Sequence, residues 1–371
     1  MRPAPAKDTA IVIPARNEEK RIAHCLNALA EQCSARVVVI VVVNNSTDST
    51  VARARDAALR LGLDLRVLQR RLEPHEGVGT ARRIGCDHAL QHVPALRYLL
   101  TTDADCIVAP QWLARNLAHL ETSDAVCGKV EPIAVEADIL DGVNPQFVSL
   151  ESTYRKLVQE IYAGHAQGCA DVAGTHGEAA GASLAFSKSG YLAAGGFAPI
   201  PCGEDRRIVR ALRSARRRVR HADDVTVQAS CRLAGRASGG MSDTLRSRIG
   251  ASDYLVDDCL PPADWLVSHV ERRSLDVWPP QVPARLRFSV HDLPRHIERL
   301  DRFRNSERSK TAAMAPATAL PNSHSGALQP DKASVNILAD VDLQANWSMR
   351  PLSCINSNQR VGRADRERSP G

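Results

Sequence analysis

The sequence predicts an α/β fold built on a mostly parallel sheet flanked by helices. Apolar strand-like runs alternate with helical periodicity from residue 10 onward. One of those runs, Val37 to Val43, is apolar without interruption. Several of them also stop abruptly in clusters of small polar residues.

Taken in order, Ala10 to Pro14 is a short β-branched apolar run ended by a proline, and it reads as a strand. Ile22, Cys25, Leu26 and Leu29 then recur at i, i+3, i+4 and i+7, the spacing of one helix face. Val37 to Val43 suits a central parallel strand covered on both faces. It ends at Asn44-Asn45-Ser46-Thr47-Asp48, residues that suit a turn and the cap of a helix over about 49–61. Leu63, Leu65 and Val67 alternate as a further strand, a helix follows over about 80–90, and Tyr98 to Thr102 is strand again. Strands alternating with helices place the strands in parallel.

The bulk numbers agree with one α/β catalytic domain carrying appendages. The chain has 371 residues, 44% of them hydrophobic, which is ample for a core, and only 4% aromatic, so that core is aliphatic. A net charge of +6 suits anionic small molecules, acidic surfaces or nucleic acid without choosing among them. The ten cysteines contain no CxxC pair, so zinc ribbons and thioredoxin-like redox motifs lack their spacing. Met1 to Thr9 has no apolar segment of the secretory kind, and Val37 to Val43 is too short to span a bilayer. A reduced, cytoplasmic protein without a transmembrane segment is the expectation, and contact with a membrane surface stays open.

Ligands of such sheets bind beyond the carboxyl ends of the strands. Three polar clusters stand there: Pro14-Ala15-Arg16-Asn17-Glu18-Glu19, Asn44 to Asp48, and Asp103-Ala104-Asp105. An acid-x-acid pair offers hard oxygen ligands to Mg2+ or Mn2+, ions that usually complete their shell with water and substrate phosphates. Most isolated Asp-x-Asp pairs are turns. Position after an apolar strand, beside two other polar strand ends, favours a metal.

Residues 10 to about 232 resemble a family 2 glycosyltransferase of the GT-A fold. The resemblance is carried, in the family's order, by Ile11-Val12-Ile13-Pro14-Ala15-Arg16-Asn17-Glu18-Glu19, Asn45-Ser46-Thr47-Asp48-Ser49-Thr50 and Gly79-Thr80-Ala81-Arg82-Arg83-Ile84-Gly85. It continues through Asp103-Ala104-Asp105, Gly181-Ala182-Ser183, Gly195-Gly196-Phe197 and Gly203-Glu204-Asp205. It implies a nucleotide-sugar donor bound near Pro14, Glu18, Asn45 and Asp48, with Arg82 and Asp103 approaching it. It also implies a divalent metal on Asp103 and Asp105, with His221 a candidate third ligand. Asp205, beside Glu204, would take the proton of the acceptor hydroxyl. Two acids at a helix start also suit the helix dipole, and both roles can hold together. Gly181, Ala182 and His176 lie where the family places the acceptor, and an ordinary loop histidine is the competing account of His176.

The sequence departs from that family at Asn44 and Asn45, where two acids are usual, and at Arg83, where Asn is common. It has no Gln-x-x-Arg-Trp motif of processive synthases and no membrane span, so transfer of one sugar to a small hydroxyl acceptor is expected, and Asp205 as the base implies inversion. Val148, Leu150, Leu157, Val158 and Ile161 suggest a helix. The arginines between 206 and 220 read as an amphipathic helix with basic flanks, solvated or attracting anionic acceptors or lipid. No aromatics interleave them, and no nucleic-acid partner is expected. The expected organisation is a disordered 1–9, a catalytic domain over 10–230, a helical extension over 231–304 and a disordered tail over 305–371, the last poor in apolar residues. Two other functions fit less well. A nucleotidyltransferase would want a Gly-rich, Lys-containing opening loop, and a non-catalytic nucleic-acid or membrane module would not need Asp103, Asp105 and Asp205.

Overall fold

The strands nearest the N-terminus are buried on both faces, and the sheet grows outward from them. The computed structural model describes residues 6–73, 75–235 and 239–314. All of β1 (Thr9–Ala15) and all but the last residue of β2 (Val37–Asn44) are buried. Helix α1 (Ile22–Ala30) covers one face through Ile22, Cys25, Leu26 and Leu29, the stripe its spacing predicts. Helix α2 (Thr50–Leu61) ends on Gly62, which adopts the left-handed conformation that closes a helix C-terminus. Strand β3 (Leu65–Arg70), helix α3 (Gly77–His92) and strand β4 (Tyr98–Thr101) complete a parallel set in which β2 pairs β3, β1 pairs β2, and β1 pairs β4. Alternate residues of β1 point to opposite layers: Ile11 and Ile13 join one apolar cluster, Ala10 and Val12 another.

Beyond Asp105 the sheet becomes mixed. The elements in order are β5 (Cys106–Val108), α4 (Trp112–Leu120), β6 (Ala125–Pro132), α5 (Pro145–His165), β7 (Leu184–Ser187), α6 (Lys188–Ala193), α7 (Glu204–Ser214) and β8 (Val219–Ala229). The eight strands lie in the order β3-β2-β1-β4-β7-β6-β8-β5. Strand β7 is antiparallel to both neighbours and β5 is antiparallel to β8, whereas β6 and β8 are parallel.

Helices α8 (Met241–Arg248), α9 (Ala263–Glu271) and α10 (Leu293–Met314) follow. Their core is aromatic: Tyr154 and Tyr162 of α5 pack with Trp278, Phe288, Leu266, Leu293 and Leu300 in a third cluster. Helix α5, on the catalytic side of the boundary expected at 231, thus packs its buried face against the extension. The tail expected from 305 begins inside α10, which buries Leu300 and Phe303 and continues to Met314. Of the stretch 1–9 expected to be disordered, Asp8 is buried and Thr9 opens β1, whereas residues 1–5, like 315–371, lie outside the described residues, and the disorder expected of them with it. No helix among the described residues is long and apolar enough to cross a membrane.

Candidate active site

The polar strand ends meet in one place because the β1 and β2 loops are stitched together. The Asn17 amide donates to Ser46 Oγ at 2.9 Å, and Asn17 Oδ1 accepts from the Thr47 amide at 2.8 Å. Asp48 accepts from Thr50 Oγ1 (2.5 Å) and from the Thr50 and Glu19 amides (3.0 and 3.1 Å). Against the burial that raises it, these bonds hold the Asp48 carboxyl below its usual range. Glu18 is buried, and its amide donates to Thr50 Oγ1 at 2.8 Å.

Just past β4, the carboxylates of Asp103 and Asp105 stand with the Cys106 thiol, one ligand atom of each within 4.8 Å of the others. Burial, with the nearby Asp103 and Glu18 charges, pushes the Asp105 carboxyl up to about 6, against the pull of Arg232 and Arg21. The buried Cys106 thiol is raised well above its ordinary value and stays protonated, a poor ligand for a hard cation. The oxygens of Asp103 and Asp105, crowded and mutually repelling, do fit Mg2+ or Mn2+.

Two arginines share the acids. Arg82, on α3 and 3% exposed, bonds Asp103 Oδ1 at 2.5 Å through Nη2 and Glu204 Oε1 through Nη1. Its guanidinium lies so close to Gly181 that a Cβ there would stand 2.3 Å from Arg82 Cζ. A second close approach holds α3 against α7, since a Cβ on Gly79 would meet the Ala198 carbonyl at 2.3 Å and Glu204 Cβ at 2.9 Å. Arg232 bonds Glu18 with both Nη atoms (2.7 and 2.5 Å) and Asp105 Oδ2 at 2.9 Å. Pairing of β5 with β8, which sets Cys106 opposite Ala229, brings Arg232 back over Asp105.

Gly181 links this cluster to Asp205. Its carbonyl accepts from Thr101 Oγ1 at 2.8 Å, and its amide donates to Asp205 Oδ2 at 3.0 Å. Asp205 Oδ1 accepts from the Arg206 amide at 2.7 Å, so the half-buried carboxylate is fixed at the start of α7. Ala182 is buried beside it. Pro14, buried in β1 opposite Val42, sits at the same sheet end.

Several expected site residues serve other purposes. Glu204 is 2% exposed, and its Oε1 accepts from Arg82 Nη1. His176 is buried: its Nε2 meets the Cys127 carbonyl at 3.1 Å and its Nδ1 accepts from the Glu178 amide at 3.1 Å. Burial, with the His221 and Lys129 charges, pushes it down to about 3, so it is neutral, with both ring nitrogens turned to protein backbone.

His221 is not brought to the acids. It pairs with Asp171 at 2.8 Å in a buried cluster with Arg213. It lies eight positions along β8 from Ala229, the partner of Cys106, roughly 25 Å of strand. Asn45 binds the Leu72 peptide at both ends, Nδ2 to its carbonyl and Oδ1 from its amide, each at 2.8 Å. A carboxylate could not make both bonds, and Asn tolerates the left-handed φ of 48° found here. The change from acid to amide therefore serves the loop after β3. The arginine-rich helix ends at Ser214, and Arg216, Arg217, Arg218 and Arg220 pass into a turn and into β8, where they line a cavity of about 510 Å³.

Sequence reasoning missed Arg232, Glu136 and Arg21. Glu136 accepts from Arg21 Nη1 (2.6 Å), Ser230 Oγ (2.8 Å) and the Cys231 amide (3.0 Å), which fixes the end of β8. A cavity of about 360 Å³ opens beside Asp105, lined by Lys20, Arg21, His24 and Glu136. No motif marks these residues.

The model of glycosyl transferase family 2 matches residues 10–167. Comparison with curated proteins gives no match. Among solved structures the chain is similar to S. aureus TarS 1–349 in complex with UDP-GlcNAc, at 18% identity over 72% of this chain and 66% of that one, with a TM-score of 0.45. It is similar to the mannosyltransferase PcManGT from Pyrobaculum calidifontis in complex with GDP-Man and Mn2+, at 18% identity over 86% and 78%, with a TM-score of 0.46. A third likeness is to glucosyl-3-phosphoglycerate synthase from Mycobacterium tuberculosis in complex with Mn2+, UDP-Glc and phosphoglyceric acid, at 18% identity over 66% and 78%, with a TM-score of 0.40. The chain spans 36% to 66% of the lengths of the TarS chains it matches.

Proposed function

We propose, from the premise that residues 10–167 make this chain a member of glycosyl transferase family 2, that it moves one sugar from a nucleoside-diphosphate donor to a hydroxyl of a small acceptor. The observation that carries this is the bridge at Gly181, which ties the end of β4, and so the Asp103–Asp105 pair, to Asp205 across one residue.

In this reading Glu18, Asp48 and Pro14 bound the nucleoside end of the donor site. Asp103 and Asp105 would hold Mg2+ or Mn2+, and that ion supplies Lewis-acid neutralisation of the departing diphosphate. Lys20 and Arg21, with His24 beside them on the 360 Å³ cavity, add positive charge where phosphates would lie. Asp205, oriented by two amides, accepts the proton of the acceptor hydroxyl as its oxygen bonds the anomeric carbon. The bond from that carbon to the diphosphate breaks, and the electron pair leaves with the diphosphate. Attack opposite the leaving group inverts the centre. The unpaired state of all nine described cysteines fits work in a reducing compartment.

The test is a turnover screen of the purified chain with Mn2+ over UDP-, GDP- and TDP-sugars. Asp105→Asn should remove the activity found. Asp205→Asn should cost roughly two to four orders of magnitude in turnover with donor binding little changed. Full activity in Asp105→Asn, or in the wild type in excess EDTA, would end the metal reading. NMR of the product from an α-linked donor should show a β-glycoside, and an α-glycoside would strip Asp205 of the base role.

A further inference from the structure

The guanidinium of Arg232 stands on two of the carboxylates that crowd the donor site, with Glu18 at 2.5 and 2.7 Å and Asp105 at 2.9 Å. Its backbone is anchored. The Arg232 amide donates to Ser230 Oγ at 3.2 Å, and its carbonyl accepts from Ser242 Oγ at 2.8 Å. Glu136 fixes the two preceding residues. The side chain, in contrast, is 19% exposed, against 4% for Arg82 on the other side of the cluster. It can therefore turn about a fixed pivot without moving the chain around it.

We propose that Arg232 is an exchangeable cation: it neutralises Glu18 and Asp105 in the empty site, yields Asp105 when a divalent metal binds, and turns its planar fork to the donor's diphosphate. This rests on the assignment of the metal to Asp103 and Asp105 above. A guanidinium held on Asp105 Oδ2 sets a positive charge beside any dication bound to the same carboxylate, and the two cations repel. A diphosphate is the better guanidinium partner, because its oxygens match the fork in pairs. Three acids with no cation would otherwise repel one another at the sheet end, and Arg82 reaches only Asp103 among them. Arg232 meets that need in the absence of metal.

The experiment titrates Mn2+ into the full chain without donor, following free Mn2+ by electron paramagnetic resonance, for the wild type, Arg232→Gln and Asp105→Asn. Circular dichroism confirms that each is folded. Arg232→Gln should bind Mn2+ about tenfold more tightly than the wild type, a typical coupling between two ligands of one site. At saturating Mn2+ it should bind inorganic pyrophosphate about tenfold more weakly, with Arg232→Lys between. Opposite signs for the two ligands are the signature of exchange. Equal Mn2+ affinity in wild type and Arg232→Gln overturns it. If Asp105→Asn weakens Mn2+ binding in that same series, the metal assignment survives and the exchange alone falls. If all three bind Mn2+ alike, both fall. Weaker binding of both ligands by Arg232→Gln marks a merely structural arginine and overturns the proposal as well.

Discussion

On one side of the acid cluster Arg82 runs beneath Gly181, between Glu204 and Asp103, with almost no solvent contact. On the other side Arg232 reaches Glu18 and Asp105 from the end of β8 with a fifth of its side chain exposed. Both are arginines on carboxylates within one site. The first is locked from three directions: a helix behind it, a buried acid beside it and a peptide pressed against its face. The second is fixed only at its backbone. A buried guanidinium can hold a carboxylate at one angle through many encounters with ligand, whereas a half-open one can change partners. The site thus has a stiff wall and a yielding one.

The largest expected break in that contrast comes from Arg82→Gln. It leaves Glu204 buried without its cation, a loss of about 3–5 kcal/mol of folding stability, read as a lowered midpoint in urea. Gly181→Ala tests the same wall from the other direction. Its methyl would intrude on the guanidinium and cost about 1–3 kcal/mol, with turnover falling because the amide that orients Asp205 shifts. Near-native stability for either variant would show that the wall yields.

Acid conditions need a separate control, since neither guanidinium titrates. His176 has a folded value of about 3, well below the unfolded value of about 6.5. Between these the unfolded chain binds the proton and the folded chain does not. The stability is complete above pH 6.5 and is lost as pH falls toward 3, by about 1.4 kcal/mol at pH 5.5. Burial lowers His221 in the same direction. His176→Gln should flatten the acid limb of stability against pH, and an unchanged limb would assign it to other groups. A smaller loss than that of Arg82→Gln is expected from Arg232→Gln at neutral pH, by the same urea midpoint, because buried Glu18 loses its cation but the guanidinium removed is itself a fifth exposed. A loss matching that of Arg82→Gln would erase the distinction between the walls.

The parallel half of the sheet was open to reading because its signals are local. Val37 to Val43 is continuously apolar since β2 is covered on both faces, and the α1 stripe needs only one turn of spacing to be seen. Strands β6 to β8 gave less. Strand β7 has four residues, and β8 carries Arg220, Asp223 and Asp224 among its apolar positions, so neither shows a clean period. Asp103 and Asp105 could be singled out because a strand end marks them, and Asp205 because it stands in a segment that carries the family resemblance. Arg232 was not, for its carboxylate partner Glu18 lies 214 residues away in sequence. His221 misled because spacing along the chain says nothing of which end of a strand a residue occupies. Glu204 and His176 are polar residues near motifs, and no local pattern shows that both are buried on protein partners, Glu204 on Arg82 and His176 on the Cys127 carbonyl.

The order of strands has a consequence for how copies of this chain meet. A sheet ending in β3 on one side and β5 on the other leaves backbone amides and carbonyls along both borders. Strand β3 carries Arg66 and Arg70, and β5 is only three residues long. A second molecule approaching either border would have to strip water from arginines or settle for three residues of pairing. The interior strands, Val- and Ile-rich and well suited to fibril stacking, sit at least one strand in from those borders. The molecule keeps its stickiest sequence away from its rim.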